Sequence, residues 1–261
     1  LGNIDLIGHE ILPELIRSKL PVLHHIGFVN PPFESIYVPI EKNYIVLSAS
    51  HAVKESLRKE YFIKEDSLVV YPGARVELFG EEFTKRKLPQ LPDGTANNPL
   101  SIAYAGLLMS SKGLHTLVEA LIKLKLRGLY ARAYIAGADF QPGYKSALLE
   151  KLKKYDLLDS VAFTGSLNRE KLARLLILNH VFVFPSVYPE AFGIVQAEAM
   201  ASGLALVTTG VGGSKELLES GVNGFLFESQ NSDDLCNKLM LLTNNPSLIE
   251  NFGQNGKKIV L

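Results

Sequence analysis

The chain has 261 residues, with 27 basic and 27 acidic side chains and 47% hydrophobic residues. That length allows one large domain or two modest ones, and the charge balance argues against steering toward bulk nucleic acid or an anionic membrane. Cys236 is the only cysteine, so no disulfide closes within the chain, in keeping with a reducing compartment; no apolar run approaches the roughly 20 residues that span a bilayer.

Short β-rich apolar runs alternate with helical patterns, which predicts a parallel α/β sheet. In chain order, strands are expected at 21–24 and 44–47, a helix at 51–60 and a strand at 67–70. Residues 81–99 break the alternation: they are polar, hold Pro89, Pro92, Pro99 and the turn pair Asp93-Gly94, and read as a linker. Beyond it the pattern predicts a strand at 100–104 and a helix at 114–126, where Leu114, Leu117, Val118, Leu121 and Ile122 recur at helical spacing. Strands at 131–135, 161–163, 180–184, 204–207 and 224–227 follow, with helices at 144–154, 169–178, 191–201, 215–219 and 233–242. The expected organisation is an incomplete first domain at 1–80, a linker at 81–99 and a nearly complete doubly wound domain at 100–261. The chain opens on Leu-Gly-Asn rather than Met, and a fragment of a longer protein is expected. No internal repeat or low-complexity segment is present.

The richest stretch runs from Ser186 through Tyr188, Pro189, Glu190, Ala191, Phe192, Gly193, Ile194 and Val195 to Glu198 and Gly203. Open parallel sheets bind ligands beyond the carboxyl ends of their strands, and this run follows such a strand. Pro189 discourages an early helix, so the helix is expected to start near Phe192–Gly193. Its first N–H groups have no intrahelical partner and carry the positive end of the helix dipole. Gly193 lacks a Cβ, which lets an anion approach the backbone. Glu190 and Glu198 stand eight residues apart. By themselves they fit a loop acid and a solvated helix residue. The small, apolar surroundings of Glu198 (Ala197, Ala199, Met200, Ala201) point instead to a carboxylate that accepts protons from two vicinal hydroxyls.

The run Glu-Ala-Phe-Gly-Ile-Val-Gln-Ala-Glu-Ala-Met-Ala-Ser-Gly resembles the Glu-x7-Glu signature of retaining, GT-B-fold glycosyltransferases of family 4, the glycosyl transferases group 1. Four more stretches resemble that family in the same order: Gly106-Leu107 to Lys112-Gly113, Phe163-Thr164-Gly165-Ser166-Leu167, Gly212-Gly213-Ser214-Lys215-Glu216, and Gly221 to Gly224-Phe225-Leu226. The resemblance implies a GT-B-type α/β fold: a doubly wound, Rossmann-like donor domain plus an incomplete second Rossmann-like domain. It implies a hexosyltransferase moving a sugar from a nucleoside diphosphate sugar, with a UDP-sugar expected, to an acceptor hydroxyl in polysaccharide or glycoconjugate synthesis. Glu198 would hold the donor ribose and Glu190 the transferred sugar. Backbone N–H groups of Ala191, Phe192, Gly193, Ile194 and Val195 would bind sugar and diphosphate, with Gly106, Thr164, Gly165 and Leu167 completing the donor site. Lys112 would neutralise the diphosphate leaving group.

One departure stands out: the family's arginine beside this lysine is Leu107 here, so a bidentate phosphate clamp is missing at that position. Either another cation substitutes or diphosphate binding is weaker. The resemblance implies no cofactor and no metal, a saccharide or lipid-linked acceptor, no nucleic acid, and a cytoplasmic location at or near the inner membrane face. Any peripheral membrane contact would fall to a region upstream of this chain.

Three stretches before the linker resemble first-domain strands of the family: 5–10 with His9, 20–27 with His24 and His25, and 45–50. His25 is the candidate for a histidine beside the donor sugar. The spacing after Pro21 does not align either histidine cleanly, so a strand-end pair with no catalytic part stays open. His9 reads as structural or acceptor-side. Ser48 and Ser50 read as caps for the helix from His51, and Lys85-Arg86-Lys87 as a solvated loop. The rivals are a non-catalytic nucleotide-sugar-binding module and a GT-B phosphorylase or epimerase. A nicotinamide-dependent enzyme would need Gly-x-Gly-x-x-Gly after a first strand, which residues 106–113 lack.

Overall fold

The structure is a computed structural model and describes residues 11–29, 42–60, 67–75, 77–80 and 89–261. The expected strand at 5–10 with His9, and the Lys85-Arg86-Lys87 cluster, lie outside the described residues. Two compact units divide the chain. The first is Leu1–Gly73 with Pro189–Gly193 and Gly212–Glu216; the second is Ala74–Tyr188, Ile194–Val211 and Leu217–Leu261.

In the first unit, helix α1 (Ile11–Arg17) precedes strand β1 (Val22–Ile26), strand β2 (Tyr44–Ser48), helix α2 (His51–Glu60) and strand β3 (Leu68–Val69). The strands are parallel in the order β1-β2-β3, with Val22 opposite Tyr44 and Leu47 opposite Leu68. Inward and outward side chains alternate along β1 and β2, as the period of two requires. Val22, Ile26, Tyr44 and Val46 meet Leu12 of α1 and Val53 and Leu57 of α2 in one core. Helix α1 was not expected from the sequence; its Pro13 falls in the first turn, where the missing N–H has no helical partner to lose.

The second unit is a six-stranded parallel sheet of β4 (Leu100–Ala105), β5 (Ala131–Ala136), β6 (Val161–Gly165), β7 (Val181–Phe184), β8 (Ala205–Thr208) and β9 (Gly224–Leu226). Its order is β6-β5-β4-β7-β8-β9, the doubly wound arrangement with a reversal between β4 and β7. Every residue of β7 and β8 is buried. Continuous apolar sequences such as Val-Phe-Val-Phe are what a sheet covered on both faces demands. The connections carry α3 (Leu114–Leu126), α4 (Tyr144–Lys154), α5 (Arg169–Leu176) and α6 (Ile194–Ala201), and the chain closes with α7 (Ser232–Asn244) and α8 (Ser247–Val260). Leu114, Leu117, Val118, Leu121 and Ile122 of α3 sit in the main core with Leu235, Leu239 and Leu242 of α7.

Three expectations need correction. Helix α6 begins at Ile194, not 191, because Gly193 stands at φ +84° and helical geometry starts only after it. The helix expected at 215–219 is a 3₁₀ turn, Gly213–Leu217. Helix α8 was missed, although Ile249, Phe252, Gly253 and Gly256 mark its buried face. Among the described residues no helix is long and apolar enough to cross a membrane.

His24 is 2% exposed within the first unit, and its Nδ1 is hydrogen-bonded to the Tyr44 hydroxyl. Burial, the largest cause, lowers its pKa to about 4, against 6.5 for a free histidine. The folded state therefore keeps it neutral, while the unfolded chain takes up a proton as pH falls below 6.5. The stability that this neutral imidazole allows is complete above pH 6.5 and is lost toward pH 4, at up to about 1.4 kcal/mol per pH unit. Urea unfolding at pH 7 and pH 5 should show a steeper loss for the wild type than for His24→Asn; equal slopes would remove His24 from the account.

Candidate functional site

The second unit gathers its candidate residues at the carboxyl ends of the strands on either side of the reversal. After β4 the chain passes through Gly106 and Leu107 into a 3₁₀ turn, Ser110–Lys112. The Ser111 carbonyl accepts hydrogen bonds from Val187 N at 2.8 Å and Tyr188 N at 3.2 Å, so this turn is fastened to the exit of β7. Gly113 makes the fastening feasible. Its φ is +69°, and a Cβ there would lie 1.8 Å from the Pro185 carbonyl oxygen. Lys112 precedes it, half-buried, at the head of α3.

The neighbouring strand ends form a continuous rim. Gly106 N donates to Ala136 O at 3.0 Å, and Gly137 N donates to Gly165 O at 2.9 Å. Thr164 Oγ1 donates to Ile135 O at 3.2 Å, which ties the end of β6 back to β5. Leu107 is 39% exposed, and its carbonyl accepts from the Tyr104 hydroxyl at 3.1 Å. The Leu107 side chain is thus partly exposed on a backbone held in place. Leu167 lies past β6, two residues before α5 begins.

Helix α6 supplies the acid of this unit. Gln196, Ala197, Glu198, Ala199, Met200 and Ala201 are all buried. Alanines at three of these positions let the helix sit inside the fold, and they carry Glu198 in with them at 1% exposure. That rules out a solvated helix residue. A buried carboxylate needs a counter-charge, and the cation placed against Glu198 Oε1 is Arg169. Arg169 is the first residue of α5. Its backbone is set by Asn168, whose side chain caps the helix by accepting from Lys171 N at 2.9 Å. Sequence reasoning missed this arginine.

The remaining candidates belong to the first unit. Glu190 pairs with Gly212 in an isolated parallel bridge, and its carbonyl accepts from Gly213 N at 2.7 Å. The Phe192 ring lies 5.1 Å from that of Tyr71, and Ala191 packs against the unit's core. Glu216 takes on a structural part: its carboxylate accepts from His51 N at 3.0 Å, Ala52 N at 2.9 Å and the Tyr71 hydroxyl at 3.0 Å. It stands at the positive end of α2. Ser50 caps α2, accepting from Val53 N at 3.1 Å, whereas Ser48 bonds the Ser67 hydroxyl instead. His25 Nε2 donates to Val70 O at 2.8 Å, a bond that fixes its tautomer.

The Glycosyl transferases group 1 family model matches residues 92–259, more than half of the chain. The chain belongs to that family. An uncharacterized glycosyltransferase of Methanocaldococcus jannaschii, MJ1607, is 30% identical over 208 residues, covering 77% of this chain and 51% of the relative. The capsular polysaccharide biosynthesis glycosyltransferase CapM of Staphylococcus aureus is 25% identical, over 82% of this chain and 56% of its own. The chain therefore spans about half the length of the curated relatives it matches. The solved structure of Anabaena Alr3699/HepE in complex with UDP and glucose superimposes with a TM-score of 0.77 at 24% identity, over 94% of this chain and 68% of that one. The GT-B-type α/β class, with two Rossmann-like parallel sheets, is borne out by such neighbours.

In this group 1 chain the Lys112 turn depends on Gly113. Alanine there meets both the left-handed backbone, worth roughly 1–3 kcal/mol, and the Pro185 carbonyl. Gly128 has φ +79°, but no atom lies within 4 Å of where its Cβ would stand, so Gly128→Ala feels the backbone effect alone. Chemical denaturation should find Gly113→Ala clearly less stable than Gly128→Ala; equal losses would mean that the turn tolerates the contact.

Proposed function

We propose that the protein containing this chain is a retaining glycosyltransferase of family 4, which moves a hexosyl unit from a UDP-sugar to an acceptor hydroxyl. The acceptor class is a saccharide or lipid-linked sugar, as polysaccharide or glycoconjugate synthesis would use. The observation that carries the reading is Glu198: a carboxylate held at 1% exposure on a small-residue helix, beside the strand ends where doubly wound sheets take nucleotides. Membership in the group 1 family supports the same conclusion, as do the UDP complexes of the HepE fold neighbour.

In this reading Glu198 accepts protons from the two ribose hydroxyls. The opening N–H groups of α6, at Ile194 and Val195, face the diphosphate with the positive end of the helix dipole. Lys112 adds a mobile positive charge as the diphosphate leaves. Leu107 puts no cation beside it, so lysine and helix terminus carry the developing charge together. Glu190 contacts hydroxyls of the transferred sugar, and no metal is invoked. Bond breaking and attack occur on the same face of the sugar, with stabilisation of the leaving group supplying most of the acceleration.

Hydrogen bonds to a charged acceptor are worth about 1.5–3 kcal/mol each, so Glu198→Gln should weaken UDP binding by about tenfold or more in calorimetric titration of the full-length protein. Glu190→Ala should lower kcat for donor hydrolysis or transfer far more than it changes UDP affinity. Unaltered affinity in the first variant and unaltered turnover in the second would overturn the site assignment. UDP binding in the wild type without turnover on any acceptor would favour the binding-module reading that Leu107 raises.

A further inference from the structure

We propose that Tyr71 is a positioning residue for the donor sugar: its ring holds Phe192 and, through it, the loop that carries Glu190. The proposal rests on the reading of that loop as the seat of the transferred sugar. Residues 189–193 belong to no helix or named strand, and Glu190 is joined to Gly212 by an isolated bridge. Functional groups on such a loop keep their aim only when a rigid scaffold positions them. The scaffold here is the head of α2 and the exit of β3, and Tyr71 is the side chain that joins them to the loop.

The Tyr71 ring stands 5.1 Å from that of Phe192, tilted by 33°, within the range in which aromatic pairs attract. Its hydroxyl donates to Glu216 Oε2 at 3.0 Å, and Glu216 is itself fixed by His51 N and Ala52 N. The His51 ring meets Tyr71 edge-on at 6.4 Å. The backbone is set just as firmly. Val70 N donates to Ser48 O at 2.9 Å, and Val70 O accepts from His25 Nε2; Pro72 then favours an extended Tyr71. The segment bearing Glu216 lies close against the Glu190 loop: a Cβ on Gly213 would fall 2.0 Å from Ala191 O and 2.6 Å from Ser50 Oγ. Tyr71 is 47% exposed and takes no part in the unit's buried core, whereas Phe192 is 7% exposed. What the ring contributes is therefore its hold on Phe192 rather than its own burial.

Loosening the loop should harm the sugar and spare the nucleotide. Tyr71→Ala should lower the affinity for a UDP-sugar relative to UDP by about threefold or more, the scale of a lost aromatic pair, with the affinity for UDP itself unchanged. Its kcat should fall by about tenfold or more, because small misplacements at a reacting centre are costly. Tyr71→Phe keeps the ring and should restore most of both. Tyr71→Leu, which keeps apolar bulk without the ring, provides the measurement if the alanine variant does not fold. Full-length wild type and the three variants, each checked by a thermal melt, are titrated with UDP, UDP-glucose, UDP-galactose and UDP-N-acetylglucosamine and then assayed for donor turnover. An unchanged ratio of UDP-sugar to UDP affinity in the folded alanine or leucine variant overturns the proposal. So does a loss shared equally by UDP, or a phenylalanine variant as impaired as the alanine one. A wild type that neither discriminates among these sugars nor turns one over would instead overturn the sugar reading of the Glu190 loop, and this proposal with it.

Discussion

Two neighbouring strands, β4 and β7, set the conditions for everything at the candidate site. Their onward connections run to opposite halves of the sheet, β4 toward β5 and β7 toward β8. Right-handed crossovers then send the following helices to opposite faces, and a crevice opens where the chains part. The crevice must still be closed below, and the backbone does this. The Ser111 carbonyl takes two N–H groups from the β7 exit, and Gly113 allows a contact that any side chain would prevent. That seam places the backbone of Lys112.

The second constraint is electrostatic. A helix buried over most of its length would normally exclude acids, since an isolated charge taken out of water is expensive. Helix α6 admits Glu198 because alanines fill three of its five other buried positions and Arg169 stands against the carboxylate from a neighbouring element. The protein thereby stores a carboxylate in a dry place, ready for polar partners. The first unit uses the same physics more openly: Glu216 lies exposed, yet it binds the free N–H groups at the start of α2.

Much of this was legible in the residues. Runs such as Val181 to Phe184 read as buried strands because a covered parallel sheet leaves them no polar face, and the spacing of Leu114, Leu117 and Leu121 reads as a helix for the complementary reason. The burial of Glu198 was readable from the alanines around it. Helix α8 escaped because Gly253 and Gly256 dilute its apolar stripe with residues that look like loop signals. The true start of α6 depended on the φ of Gly193, which the letter G permits but does not dictate. Arg169 carried the least local signal: its partner is 29 positions away, and only the fold brings the two together. Its one clue was a cation in a first helical turn.

Helix α8 bears on the site without touching it. Its Gly253 lies against the turn that ends α6, where a Cβ would fall 2.2 Å from the Gly203 carbonyl oxygen, and Gly256 faces Met200 of α6 itself. The last helix is thus the floor beneath the helix that carries Glu198. A bulky replacement at Gly253 would therefore disturb the setting of Glu198, although the two stand more than fifty positions apart. Such a change would register first as a loss of folding, in a helix with no candidate site residue of its own.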